Sequence, residues 1–177
     1  MTDHVHDASC AVAHGDAPAP RDEPRTLVAI FASPMSAQLL RYALDLGYRT
    51  VLVEPDPTKL GPTPHEHADG TVSSLDAAVL DGNTDVVVCD HHRDELGPLI
   101  RDALAAKTRW IGLMGNPHHE GPHVKALRDL GVADEEIARV HRPIGLNIGS
   151  RTPAEIAVAT LAGLIADRNA RPGGFDF

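Results

Sequence analysis

Short apolar runs alternate with amphipathic segments from residue 26 to residue 168. This alternation predicts a doubly wound α/β domain, a Rossmann-like and mainly parallel sheet with helices on both faces. The runs Leu27-Val28-Ala29-Ile30-Phe31, Thr50-Val51-Leu52-Val53, Val86-Val87-Val88-Cys89 and Arg109-Trp110-Ile111-Gly112-Leu113-Met114 are apolar on both faces, as strands covered by helices above and below must be. An acid, Glu54, stands at the end of the second run, about twenty residues after the first turn, which is the plan of a mononucleotide-binding βαβ unit.

Residues 1 to 25 are rich in Asp, His, Ala and Pro, without helical or strand period, and read as a disordered arm. His4, His6, Cys10 and His14 carry metal-ligand chemistry, but their spacing matches no zinc finger, and a solvated tail is the preferred reading. After the first strand, Met35 to Leu46 has helical spacing at Leu39, Leu40, Ala43 and Leu44, and Gly47 closes the helix. Pro55, Pro57, Gly61, Pro62 and Pro64 stiffen a loop after Glu54. His65 and His67 within and after it read as surface residues. Leu75, Ala78 and Val79 predict a short helix capped by Ser73 or Ser74. A helix from about Glu95 to Ala105 separates the third and fourth strands. Val124, Leu127 and Leu130 mark the buried face of the next helix, ended by Gly131, and a short helix starts at Asp134. Thr152-Pro153-Ala154-Glu155 is a capping box with proline at the first helical position, so a helix runs from Pro153 to about Arg168. Its face of Ile156, Ala157, Thr160, Leu161 and Leu164 should pack on the sheet. Residues 169 to 177, with Pro172, Gly173 and Gly174, read as a frayed tail.

The net charge of −9 argues against nucleic acid and anionic membrane as partners. No apolar run is long enough to span a bilayer. Cys10 and Cys89 stand in unlike contexts and make no disulfide framework, and the acidic, histidine-bearing start lacks the pattern of a secretory signal, so the expected location is a reducing cytoplasm. Cys89 ends an apolar run with nothing basic in sequence to lower its pKa, and reads as an inert core thiol.

The candidate sites lie at the carboxyl ends of the strands, where open α/β sheets bind ligands. The first turn reads Ala32-Ser33-Pro34-Met35-Ser36-Ala37 where a dinucleotide fingerprint has G-x-G-x-x-G/A. Ser33 suits an N-cap and Pro34 the first helical position, so the fold is kept while the phosphate cradle is weakened. Ala32, Ser33, Met35 and Glu54 are the nucleotide-contact candidates there; Glu54 would bond a ribose hydroxyl, or is a charged strand end. Asp90-His91-His92 follows the third run, either as a helix-capping Asp90 with solvated imidazoles or as hydrogen-bonding and proton-carrying groups. Gly115 and Asn116 precede a helix and could open an anion site. Gly145 and Gly149 permit positive φ or close approach to a ligand. Of the cations nearest that loop, Arg151 is favoured over Arg142 because it adjoins the capped helix start.

The run Pro143-Ile144-Gly145-Leu146-Asn147-Ile148-Gly149-Ser150-Arg151-Thr152-Pro153-Ala154-Glu155-Ile156-Ala157 resembles the closing signature of the Rossmann domain of XdhC/CoxI proteins, accessory factors of xanthine and carbon monoxide dehydrogenases. Trp110-Ile111-Gly112-Leu113-Met114-Gly115 and Leu127-Arg128-Asp129-Leu130-Gly131-Val132 resemble the same family in the same order. The resemblance implies a dimeric maturation factor that binds or delivers the molybdenum cofactor, a molybdopterin, for a molybdenum hydroxylase or its maturation proteins. It implies cofactor contacts at His91, Gly115, Gly145, Asn147, Gly149, Ser150 and Arg151. The family usually has glycines in the first turn and basic residues after Gly115; this chain has Ala32, Pro34 and Pro117-His118-His119. Its full-length members also carry a further N-terminal domain. No nucleophile with an adjacent base is evident, so delivery rather than catalysis is the expected role. An NAD(P)- or nucleotide-binding oxidoreductase or sensor, and a ligand-free interaction domain, are the alternative readings.

Overall fold

The computed structural model describes residues 8–15, 25–61, 67–78, 80–115 and 121–174. A short helix α1 (Ala8–Ala13) lies within the arm, a local turn that the composition of the arm did not foreshadow. The domain then runs β1 (Thr26–Ile30), α2 (Pro34–Asp45), β2 (Arg49–Val53), β3 (Gly70–Val72), β4 (Thr84–Val88), α3 (Leu96–Ala105), β5 (Trp110–Leu113), α4 (Pro122–Asp129), α5 (Asp134–Ile137), β6 (Val140–His141) and α6 (Pro153–Arg168). The strands form one six-stranded sheet of order β3-β2-β1-β4-β5-β6, and every neighbouring pair is parallel.

Two edge strands, β3 and β6, go beyond the four runs legible in sequence. Each is short, and neither Gly70-Thr71-Val72 nor Val140-His141 has an apolar run to announce it. Leu75 to Ala77 is a single 3₁₀ turn, and the Ser74 side chain makes no capping bond to it.

The pleat of β1 divides the core. Val28 and Ile30 face the layer of α3, α4 and α5, with Ile100, Leu104 and Leu127. Leu27 and Ala29 face α2 and α6, with Leu39, Leu40, Leu161 and Leu164. All four of those β1 side chains are fully buried. The α4 face differs from the expected one at a single position: Leu127 is buried, but Leu130 is 40% exposed because it has already become the helix C-cap.

The caps predicted for α2 and α6 are formed. The Ser33 hydroxyl accepts from the Ser36 N–H while the Ser36 hydroxyl accepts from the Ser33 N–H. Thr152 and Glu155 make the same reciprocal pair at α6. Such a cap contributes about 1 kcal/mol. At the amino end of the sheet, Asp85 of β4 is buried and paired with Arg109, which also reaches Asp167 of α6. Burial raises the Asp85 pKa despite the opposing guanidinium, and Tyr48 donates a further hydrogen bond to it. This ion pair ties sheet to helix on the side away from the ligand-binding end.

Gly112 is required by its neighbours. A Cβ there would lie 2.0 Å from the Trp110 ring and 2.5 Å from Ile144. The Trp110 ring folds back over β5 and stacks on His141, with centroids 5.1 Å apart and planes within 9°.

Candidate functional site

The order of the sheet reverses between β1 and β4, so the chain leaves in opposite directions on either side of that line and opens a crevice above it. Two regions result. One lies over β1 and β2, the other over β4, β5 and β6.

The first is filled by the chain itself. Phe31, directly after β1, has φ of +74°, a region costly for a bulky side chain, and its ring is fully buried. Four of the N–H groups of the following turn are spent on protein acceptors. Ala32 donates to Glu54 Oε2 at 2.9 Å, Ser33 and Ser36 donate into the capping pair, Ala37 donates to the Ser33 carbonyl, and Pro34 has no N–H. Glu54 is 2% exposed and accepts from the Asp56 N–H as well. Its carboxylate is closed by Arg93, whose Nη2 donates to Oε1 at 2.8 Å and whose Nη1 donates to Oε2 at 3.2 Å. The Arg93 guanidinium sits 4.5 Å above the centre of the Phe31 ring. Burial pushes the Glu54 carboxyl upward, and the bonds from Arg93, Ala32 and Asp56 outweigh it, leaving its pKa below the ordinary value. Ala32, Ser33, Met35 and Glu54 therefore belong to this filled region. In it Glu54 is the charged strand end, the second of the two readings its sequence position offered, and it is buried and fully bonded.

The second region is a cleft of about 800 Å³. Cys89, Asp90 and His91 enter it from the end of β4, Met114 and Gly115 from the end of β5. The loop 143–150 closes the opposite side, presenting Asn147, Gly149 and Ser150. Ile144, Leu146, Ile148 and Ile156 supply apolar walls, so the cleft combines hydrophobic faces with a few polar groups, as small-molecule sites do.

The two loop glycines do different work. Gly145, at φ +82°, lies against the α6 backbone; a Cβ would stand 2.9 Å from Thr160 N and from the Ala159 carbonyl carbon. The Leu146 N–H donates to the Ala159 carbonyl, pinning the loop to the helix. Gly149, at φ +69°, has nothing within 4 Å of a built Cβ, so its backbone faces open space.

A positive charge stands beside the cleft, next to Gly115. A Cβ on Gly115 would meet Arg142 Nε at 2.5 Å, which places the guanidinium directly behind that wall residue. Arg142 also lies against Gly121, whose built Cβ would stand 3.0 Å from its Cδ. The His91 pKa is lowered by burial, then by His92 and Arg142, against Asp90, which raises it. His123 is lowered by burial and by Arg142. Both imidazoles are held toward the neutral form, able to donate at one ring nitrogen and accept at the other. His91 and His92 rings lie 4.0 Å apart. Cys89 donates weakly to the Val87 carbonyl; burial and Asp90 raise its pKa far above the ordinary thiol value. It is a protonated wall residue.

The structure thus gathers Asp90, His91, Gly115, Gly145, Asn147, Gly149 and Ser150 about one cleft. Arg151 is exposed and does not line it. Its N–H donates to Glu155 at 2.7 Å, and the start of α6 is taken up by the capping carboxylate rather than left to an anion. The cation placed against a wall residue is Arg142, the one ranked second from sequence. Asn116, with His118 and His119, lies outside the described residues, as do His4, His6 and His65. Among the described residues no group of three or more His, Cys, Asp or Glu is placed to hold a metal ion, and no helix is long and apolar enough to cross a membrane. Arg93 escaped the sequence reading altogether. The signal that could have found it is Glu54 itself, since a carboxylate ending a buried strand demands a cation.

A doubly wound parallel sheet of order 3-2-1-4-5-6 with a cleft at its carboxyl end defines a Rossmann-type α/β domain. Residues 27–164 match the XdhC Rossmann domain, and the chain belongs to that family. It is 31% identical over 156 residues to the Escherichia coli K12 protein called uncharacterized protein YqeB, covering 84% of this chain and 28% of that one. It is 24% identical over 154 residues to a probable xanthine dehydrogenase subunit of Bacillus subtilis, covering 84% of this chain and 44% of the relative. A crystal structure described as a xanthine dehydrogenase from Bacillus halodurans shares the fold, with a TM-score of 0.68 at 22% identity over 83% of this chain and 45% of that one. The chain spans less than half the length of each of these proteins.

Proposed function

We propose that the chain is an accessory factor that holds the molybdenum cofactor in the cleft over β4 to β6 and passes it to a molybdenum hydroxylase of the xanthine or carbon monoxide dehydrogenase type. The observation that carries this reading is the cleft built by the family's own signature loop, residues 143–150, against the β4 and β5 ends. A molybdopterin is a flat, polar-edged heterocycle with a phosphate terminus, and the donor set fits such a group. Ile144 and Ile156 offer apolar faces, Asn147 and Ser150 offer side-chain hydrogen bonds, and the open backbone of Gly149 admits close approach. The Arg142 charge behind Gly115 favours an anion at that end. When bound, the cofactor would bring the molybdenum chemistry that the partner enzyme uses. The chain's part is to bind, to orient and to keep neutral His91 within hydrogen-bonding range of the ligand edge without adding a second positive charge. The relative called a probable xanthine dehydrogenase subunit supports a partner of that class, and a homodimer is the proposed working form.

Native mass spectrometry of the purified chain, titrated in parallel with molybdopterin cofactor, NADH and NADPH, tests the reading. Retention of the pterin, weakened by Arg142→Ala and unchanged by Arg151→Ala, is the expected result. Failure to retain the pterin under conditions where the chain is folded would refute it.

A further inference from the structure

We infer that Arg93 is a specificity-determining residue: its guanidinium occupies Glu54 and caps the Phe31 ring, closing the crevice over β1 and β2 to dinucleotides. A nucleotide over β1 and β2 needs free backbone donors at the first turn for its pyrophosphate and a free carboxylate at the end of β2 for its ribose. The carboxylate is engaged here, and so are most of the turn's donors. Ala32, Ser33, Ser36 and Ala37 have committed their N–H groups within the protein, and Pro34 has none. The Glu54 oxygens accept from Ala32, Asp56 and both terminal nitrogens of Arg93.

The closure is built from three separated parts of the chain. Phe31 turns through positive φ after β1 and lays its ring under the guanidinium; Glu54 ends β2; Arg93 comes from the segment after β4. The Arg93 side chain is only 8% exposed, so it is packed into the crevice and not lying over it. Glu95, in the same segment, adds a second, partly exposed carboxylate that accepts from the same Nη2 at 3.3 Å. Loss of the turn glycines is therefore only half of the barrier. Restoring them would leave the Ala32 N–H and the carboxylate still engaged. This inference goes beyond the cofactor reading of the neighbouring cleft and does not depend on it.

The test is NADH binding by fluorescence titration and calorimetry on four folded proteins: the unaltered chain, Ala32→Gly/Pro34→Gly, the same pair with Arg93→Ser, and the pair with Arg93→Gln. The glutamine variant, used should the serine variant fail to fold, has a single amide nitrogen and cannot hold both Glu54 oxygens as Arg93 does. The glycine pair is expected to match the unaltered chain, and removal of the guanidinium in that background to tighten NADH binding by at least about tenfold. The inference is overturned by tight NADH binding in the unaltered chain, by a tenfold gain from the glycines with Arg93 in place, or by no gain in a folded variant lacking Arg93.

Discussion

Removing Arg93 should be among the most damaging single changes in this domain. Arg93→Ala leaves the Glu54 carboxylate, whose side chain is fully buried, without the cation 2.8 Å away that balances it. Breaking one partner of a buried pair costs about 3–5 kcal/mol. The lower end applies here, because Glu54 keeps the N–H groups of Ala32 and Asp56. For a domain of this size each kcal/mol lowers Tm by about 2–4 °C, so a loss of about 6–12 °C is expected. The dependence on pH separates a lost charge pair from lost packing. In the unaltered chain the Glu54 pKa is depressed, so its contribution is present above the unfolded carboxylate range and is lost as pH falls through the folded pKa. Without Arg93 the burial that raises this pKa loses its main opponent, and protonation relieves the folded state. Thermal unfolding of both proteins at pH 7.5 and at pH 5 should show the gap narrowing toward acid. Arg93→Ala combined with Glu54→Gln should recover part of the loss at pH 7.5. A gap under about 1 kcal/mol would refute the assignment, and so would one equal at both pH values.

Other consequences follow from the same geometry. Gly112→Ala should cost about 1–3 kcal/mol by driving a methyl into the Trp110 ring and Ile144, read by urea unfolding. Gly115→Ala meets only the flexible end of Arg142, so it should weaken pterin retention by about tenfold while leaving Tm nearly unchanged; a large Tm loss would show the contact to be structural. His91 and His123 both have depressed pKa values, so their contribution to stability is complete above about pH 6.5 and is lost as pH falls toward the folded pKa. His91→Gln/His123→Gln should accordingly show a smaller Tm drop between pH 7.5 and 5.5 than the unaltered chain. Thr152→Ala should lower stability by about 1 kcal/mol through loss of the α6 cap.

The parts of the fold that carry a repeating physical signal were legible before any coordinates. β1, β2, β4 and β5 announce themselves as apolar runs, and α2 and α6 by Ser33 and Thr152 at their starts. β3 and β6 do not, since two or three residues pairing on one edge have no periodicity of their own. At the site, strand ends fix Asp90, His91 and Gly115, and the glycine spacing fixes the loop. What sequence could not give is which long side chain reaches which neighbour. Arg93 lies 39 residues from Glu54, and nothing local marks the pair. That Arg142 and not Arg151 lies against a cleft wall was hidden for the same reason: adjacency to a helix start says nothing of whether Glu155 has already taken the N–H groups there.

Trp110 is the sole tryptophan in the chain. Its indole is clasped between Gly112, Ile144 and the His141 ring, immediately before the residues that form the loop side of the cleft. The domain therefore carries an intrinsic optical reporter at the base of its binding loop. Any occupant that shifts Ile144 or His141 would change the emission of a single, unambiguous fluorophore, and ligand capture, loop motion and hand-over to a partner could be timed by stopped flow without a label.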